Sequence, residues 1–155
     1  MASQVLSGLI HCKFISAEES LIPSFTKSVG DISKRRRKRK RQAAKGTDAA
    51  AAGGGGGGGG TPPAMSELLE LHAGVLGLCA YVSAFPYDVP AALPGVLLTL
   101  SEHLNDPHPV PDTIKKTLSS FRRTHHDNWR DHKQRFTEEQ LDMLTDLLLS
   151  PSYYA

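Results

Sequence analysis

The chain has 155 residues, 39% of them hydrophobic, which is enough for one modest folded domain and short of the usual length of two. Its net charge of +2 conceals two opposite parts, because residues 1–64 carry +7 and residues 65–155 carry −5. No run approaches the roughly 20 apolar residues of a membrane span, and two unpaired cysteines suit a reducing compartment, so we expect an intracellular protein with no membrane partner.

The first part of the chain lacks a strong core pattern. Residues 1–33 hold short apolar groups that suit one or two short helices, and the cationic run KRRRKRKR follows at 34–41. Mutual repulsion keeps such a run solvated, which predicts a tail or loop. Residues 49–60 contain only Ala and Gly, the composition of a flexible linker, and no Gly-Lys-Ser/Thr follows to form a phosphate-binding loop. We expect residues 1–64 to be largely disordered or weakly structured.

Four amphipathic helices are predicted in residues 65–155. The first runs from Ser66 to about Phe85, and the second has Pro94 in its first turn. The third starts at Asp112 and carries the longest apolar stripe, which continues through Phe136 at helical spacing. Thr137 with Gln140 three residues later forms a capping box that opens the fourth helix.

These helices predict an all-α fold. The chain divides into residues 1–64, which contain the basic run and the Gly-rich linker, and residues 65–155, which form a helical domain. Short connections favour antiparallel helical hairpins. Four such helices either close into a small bundle or form the end of a HEAT-like α-solenoid, and periodicity alone does not choose between the two.

Catalysis and metal binding find little support in the sequence. His125 and His132 lie on one helix stripe but seven residues apart, too far for the one-turn pair of zinc-binding helices. Cys79 lies in an apolar helix with no evident activating base. We therefore expect packed or surface histidines, no metal, no cofactor and no enzymatic activity.

The basic run has three interpretations. It resembles a nuclear localisation signal for an import receptor, and it could instead bind nucleic acid or chromatin by neutralising phosphates. A merely solvated charge block is the third, less favoured because eight unbroken cations exceed what solubility requires. The eight residues are Lys34, Arg35, Arg36, Arg37, Lys38, Arg39, Lys40 and Arg41.

The C-terminus is a second candidate site. Pro151 ends the last predicted helix, which leaves Tyr153, Tyr154 and Ala155 with a free carboxylate beyond a rigid element. Aromatic rings, a phenolic hydroxyl and a charge suit a pocket lined by a lysine or by backbone N–H groups. From these residues alone, a frayed terminus is slightly favoured over a docking motif.

A resemblance to a known family favours the docking motif over the frayed terminus. The stretch FRRTHHDNW, residues 121–129, together with the terminal Tyr-Tyr-Ala, resembles the C-terminus of the family of large HEAT-repeat proteasome activators, the subunit 4 family. The resemblance covers about the last 85 residues, and the basic run is similar to a Lys- and Arg-rich insertion in that family. Residues 1–33 and the octaglycine run do not match the expected family pattern.

The resemblance implies a regulator of a peptidase complex. Tyr153, Tyr154 and Ala155 would enter a pocket between α subunits of the 20S proteasome core particle, with the carboxylate on a pocket lysine, and would promote gate opening and peptide hydrolysis without ATP. It also implies nuclear and cytoplasmic localisation, DNA repair and degradation of acetylated histones, although we place no acetyl-lysine site in this segment. The alternative from the residues themselves is a nuclear nucleic-acid or chromatin-binding protein that acts through Lys34 to Arg41.

Overall fold

The computed structural model describes residues 2–45 and 65–149, and over these ranges the chain is helical. A π-helical turn, Ala17–Leu21, leads into α2, and a 3-10 turn, Lys133–Arg135, precedes α7. No strand occurs among the described residues, so the predicted all-α class is confirmed. The helices are α1 Ala2–His11, α2 Ile22–Lys45, α3 Met65–Ala84, α4 Leu93–Ser101, α5 Val110–His125, α6 Trp129–His132 and α7 Glu138–Leu149.

Helix α3 is the centre of the molecule and contacts α1, α2, α4 and α5. Within the described ranges it is the one helix long and apolar enough to cross a bilayer by length and composition, and half of it is buried inside the fold. A core helix has this composition because it is covered on most sides. Its buried residues are Leu71, Gly74, Val75, Gly77, Leu78, Cys79, Ala80, Tyr81, Val82 and Ala84.

Two glycines let α2 approach α3 closely. A Cβ atom added at Gly74 would lie 2.6 Å from Cγ2 of Val29, and one added at Gly77 would lie 2.5 Å from the Phe25 ring. The hydroxyl of Tyr81, two helical turns after Gly74 on α3, donates a 2.8 Å hydrogen bond to Glu18. The order of these contacts along the two helices makes α2 and α3 antiparallel.

The N-terminal region therefore departs from the sequence prediction. Disorder of residues 1–64 is not confirmed for residues 2–45, which form α1 and α2 and pack against α3. Nδ1 of His11 donates to the carbonyl oxygen of Ala84 at 2.7 Å, which fixes the end of α1 to the end of α3. The predicted Gly-rich linker lies outside the described residues.

The third predicted helix is also corrected. Instead of running from Asp112 through Phe136, α5 ends at His125, a turn follows, and the short helix α6 starts at Trp129. Asp127 and Asn128 occupy the turn, and both residue types favour turns because their side chains compete for nearby backbone groups. Trp129 still packs against Phe136, with ring centroids 5.5 Å apart, so the apolar stripe faces the core although the helix is broken.

Candidate functional site

The predicted docking tail, Tyr153, Tyr154 and Ala155, lies outside the described residues. What the structure describes is the helix that precedes it, because α7 ends at Leu149, four positions before Tyr153. Helix α7 packs against α4 and α5, and its Leu144 is fully buried. The described part of α7 therefore joins the tail to the core of the domain.

The start of α7 has the predicted capping box. The backbone N–H of Gln140 donates to the Thr137 hydroxyl at 3.3 Å, and the side-chain oxygen of Gln140 accepts from the Thr137 backbone N–H at 3.0 Å. These reciprocal bonds satisfy two backbone donors that a helix start would leave unpaired. Phe136, just before the cap, is buried and holds the chain on the core.

The second predicted site, the basic run, lies on α2 rather than in a tail or loop. Three of its arginines form ion pairs with acidic residues of other segments. Arg35 lies 3.2 Å from Glu70 of α3, Arg36 lies 2.6 Å from Asp106 in the loop before α5, and Arg39 pairs with Glu67 of α3. These ion pairs join the run to acidic groups distant in sequence.

Asp106 is a largely buried carboxylate with two cationic partners. Its Oδ1 accepts from Arg36, and its Oδ2 accepts from Nδ1 of His103 at 2.6 Å, while the His103 side chain is itself buried. Burial alone would raise the pKa of Asp106, but the hydrogen bonds and positive charges of His103 and Arg36 outweigh it and hold the pKa below its usual value. The pairing therefore persists well below neutral pH.

The other described cations of the run face solvent. Arg37, Lys38 and Arg41 are exposed and have no ion-pair partner among the described residues, and Lys34 makes a long 4.0 Å contact with Asp31 of its own helix. The side chain of Lys40 is not described. The run therefore has one face paired with the domain and one face free for a partner.

A cationic groove on α5 was not predicted from the sequence. It has a volume of about 830 Å³ and combines cations with serine hydroxyls. The signal was available, since Lys115-Lys116 and Arg122-Arg123 recur at seven residues and so fall on one face of a helix. The groove is lined by Lys116, Ser119, Ser120, Arg122, Arg123, His126 and Asp127.

The histidines and the buried cysteine are used in packing. His125 is buried and stacks on Phe121 with ring centroids 4.0 Å apart, and its ring lies 5.0 Å from that of His132. Burial raises the pKa of the Cys79 thiol to about 11, although a hydrogen bond with Thr117 lowers it in part. This thiol is therefore protonated at neutral pH. Across residues 2–45 and 65–149, no group of three His, Cys, Asp or Glu is placed to hold a metal ion.

The described helices form a packed all-α domain with charged side chains on its outer faces. Comparison with known proteins gives the family. The sequence profile described as "Proteasome activator complex subunit 4-like, C-terminal" matches residues 68–155, more than half of the chain. The chain belongs to this family.

Individual relatives agree with that assignment. Proteasome activator complex subunit 4 of Homo sapiens is 49% identical over 155 residues, which is 100% of this chain and 8% of the human protein. The Xenopus laevis protein of the same name is 63% identical over 89 residues, covering 57% of this chain and 5% of its own length. Proteasome activator BLM10 of Saccharomyces cerevisiae is 35% identical over 89 residues, covering 56% of this chain and 4% of the yeast protein.

The alignment with the human protein corrects the expectation for residues 1–33 and shows how much of that protein this chain represents. Residues 1–33 were expected not to match the family pattern, yet the alignment covers the whole chain. The chain spans about 8% of the length of this relative.

Proposed function

We propose that this chain is a C-terminal module of a proteasome activator that binds the 20S core particle through Tyr153, Tyr154 and Ala155. Bound there, it promotes ATP-independent gate opening and peptide hydrolysis, as a regulator without catalytic groups of its own. The observation that carries the proposal is that the family profile extends through Ala155, so the three tail residues belong to the matched segment.

The chemistry of the tail suits a pocket between two neighbouring α subunits. The terminal carboxylate pairs with a lysine, the Tyr154 hydroxyl makes a hydrogen bond, and the aromatic rings fill apolar space. Helix α7, which ends four positions before Tyr153, packs against α4 and α5, so the tail follows directly in sequence on a packed helix.

Two tail variants test this proposal. Deleting residues 153–155 should abolish co-sedimentation with purified core particles and the stimulation of peptide hydrolysis. Tyr154→Phe removes a hydroxyl and should weaken binding by about 1 kcal/mol, with a larger loss of hydrolysis if the hydroxyl sets the gate. Tyr87→Phe, at an exposed tyrosine far from the tail in sequence, is the matched control and should change neither quantity. Equal stimulation by the deleted and intact chains would refute the proposal.

We further propose nuclear as well as cytoplasmic localisation, with Lys34 to Arg41 as the import signal. DNA repair and the degradation of acetylated histones are the processes in which the longer activator would act. Replacing the eight cations with serine in a fusion too large for passive diffusion should remove nuclear accumulation. An unchanged nuclear signal would contradict this assignment.

Binding to nucleic acid or chromatin is a second candidate function, favoured by the outward cations of α2 and by the cationic groove on α5. A phosphate-binding surface predicts affinity for duplex DNA that falls steeply as salt rises. Deleting residues 153–155 distinguishes the two functions, because DNA binding would be unaffected while core-particle binding would be lost.

A further inference from the structure

The two halves of α2 are held to the domain by different forces. In the first half, Val29 and Ile32 are fully buried and Phe25 packs on α3. From Ser33 to Gln42 the sequence contains no apolar residue, so this half buries no hydrophobic side chain. We call residues 33–42 the cationic half-helix.

The helical conformation of residues 33–42 is unfavourable without contacts to the rest of the domain. Like charges three and four residues apart repel on a helix surface, and a run of eight cations places such pairs along its whole length. The ion pairs from Arg35 to Glu70, Arg36 to Asp106 and Arg39 to Glu67 offset that repulsion. These three contacts therefore favour the helical, docked state of the segment that the structure shows.

The two states present the cations differently. On a helix, consecutive side chains point around the axis, so eight consecutive cations cannot face one groove, and three of them are already occupied. In an extended chain, alternate side chains point to the same side and can enter successive acidic pockets of a receptor groove.

We propose that the cationic half-helix is a gated import signal, which the acidic residues Glu67, Glu70 and Asp106 hold in a helical state that a nuclear import receptor does not bind. Opening of the three ion pairs releases an extended segment that an acidic receptor groove recognises. This inference rests on the proposed import role of Lys34 to Arg41. The apparent dissociation constant then equals that of the free segment divided by the fraction of chains in which the segment is open.

The test measures the affinity of the full chain for a purified import receptor that binds Lys- and Arg-rich segments. The opening variant is the triple substitution E67Q/E70Q/D106N, which keeps all eight cations. The matched control is E19Q/E102Q/D142N, which makes the same change in charge at exposed acidic residues without an ion pair in the described structure. A peptide of residues 33–42 reports the affinity of the free segment.

The opening variant should bind at least about tenfold more tightly than the unaltered chain, and the control should bind like the unaltered chain. Hydrogen exchange distinguishes local opening of the cationic half-helix from a general folding defect. Amides of residues 33–42 should exchange faster in the opening variant, while those of residues 22–32 should keep their protection.

Several results would overturn the inference, and they differ from failure of the import role itself. If the unaltered chain already binds as tightly as the peptide, the import signal stands and the gate does not exist. The gate is also refuted if the peptide binds but the opening variant gains no affinity. When neither the peptide nor any chain binds the receptor, the import role fails and the gate fails with it. If the opening variant instead gains affinity for duplex DNA and none for the receptor, the segment is a nucleic-acid site.

Discussion

Gly74 is a residue at which the packing of α2 on α3 is sensitive to side-chain size. An added methyl group would lie 2.6 Å from Cγ2 of Val29, and Val29 is fully buried. A β-branched side chain in a helix has essentially one rotamer, so Val29 cannot turn away and the helices must separate.

We therefore expect Gly74→Ala to lower the free energy of unfolding by about 1–3 kcal/mol, although alanine favours a helix by about 1 kcal/mol over glycine. Gly30→Ala is the matched control, because it lies inside α2 with nothing within 4 Å of the added carbon, and it should raise stability. Urea unfolding followed by circular dichroism measures both changes. Equal effects of the two substitutions would contradict the close approach.

His125 is buried against the loop that follows α3. Its Nε2 lies 3.2 Å from the carbonyl oxygen of Asp88, and its Nδ1 lies 2.9 Å from the Thr124 hydroxyl. Its Nδ1 also lies 3.0 Å from the carbonyl oxygen of Phe121, so a neutral ring, which has one N–H, can donate to only one of the two carbonyl groups. Burial lowers the pKa of His125, and the nearby His132 ring adds to that effect, while the carbonyl groups of Asp88 and Phe121 oppose it.

This lowered pKa predicts a loss of stability in mild acid. As the pH falls through about 6.5, His125 of the unfolded chain takes up a proton that the folded chain resists, so the free energy of unfolding decreases. For one group the slope cannot exceed about 1.4 kcal/mol per pH unit. His125→Gln should flatten the dependence between pH 7.5 and 5, whereas His126→Gln, at an exposed ring, should leave it unchanged. A profile for His125→Gln that parallels the unaltered chain would contradict this assignment.

At the scale of secondary-structure elements, α7 begins at a capping box that local sequence determines. Thr137→Ala removes the hydroxyl that accepts from the Gln140 N–H and should destabilise the domain by about 1 kcal/mol. Thr137→Ser keeps the acceptor and should restore most of that loss. The measurement is thermal unfolding, with hydrogen exchange of α7 to localise the change. If alanine and serine are equivalent at this position, the capping box contributes nothing.

The sequence predicts best the elements that local chemistry determines. The capping box and the proline in the first turn of α4 were both found from residue type and spacing. The sequence predicts a third helix that is too long, because α5 and α6 keep the helical spacing across the break. Periodicity does not detect a turn that preserves the apolar face.

The prediction of a tail or loop for the basic run is wrong for a different reason. Its repulsion is local and visible in the sequence, whereas the compensating charges of Glu67, Glu70 and Asp106 come from residues 28 to 70 positions away. Contacts at such separations are set by the tertiary fold, which a composition argument does not contain. The cationic groove on α5 has a different explanation, because the seven-residue spacing of its charges is visible in the sequence but is also what an amphipathic helix shows on its solvent face.

At the scale of the whole molecule, the described helices of the positive first part pack against those of the negative second part. Helices α1 and α2 cover one side of α3, and α4 and α5 contact it as well, so the charge difference noted in the sequence is partly neutralised across the α2–α3 contact. Helix α7 joins these helices to the proposed docking tail. The proposed binding to the core particle therefore rests on the last three residues.

The most direct measurement adds one glycine after Ala155 and quantifies co-sedimentation with purified 20S core particles. The extension moves the terminal carboxylate away from its proposed lysine, and losing one partner of a buried ion pair costs about 3–5 kcal/mol, so binding should become undetectable. Ala155→Gly keeps the carboxylate in place and is the matched control, which should still bind. If the extended chain sediments with core particles as well as the unaltered chain does, the carboxylate is not the anchor and the proposed docking mode is wrong.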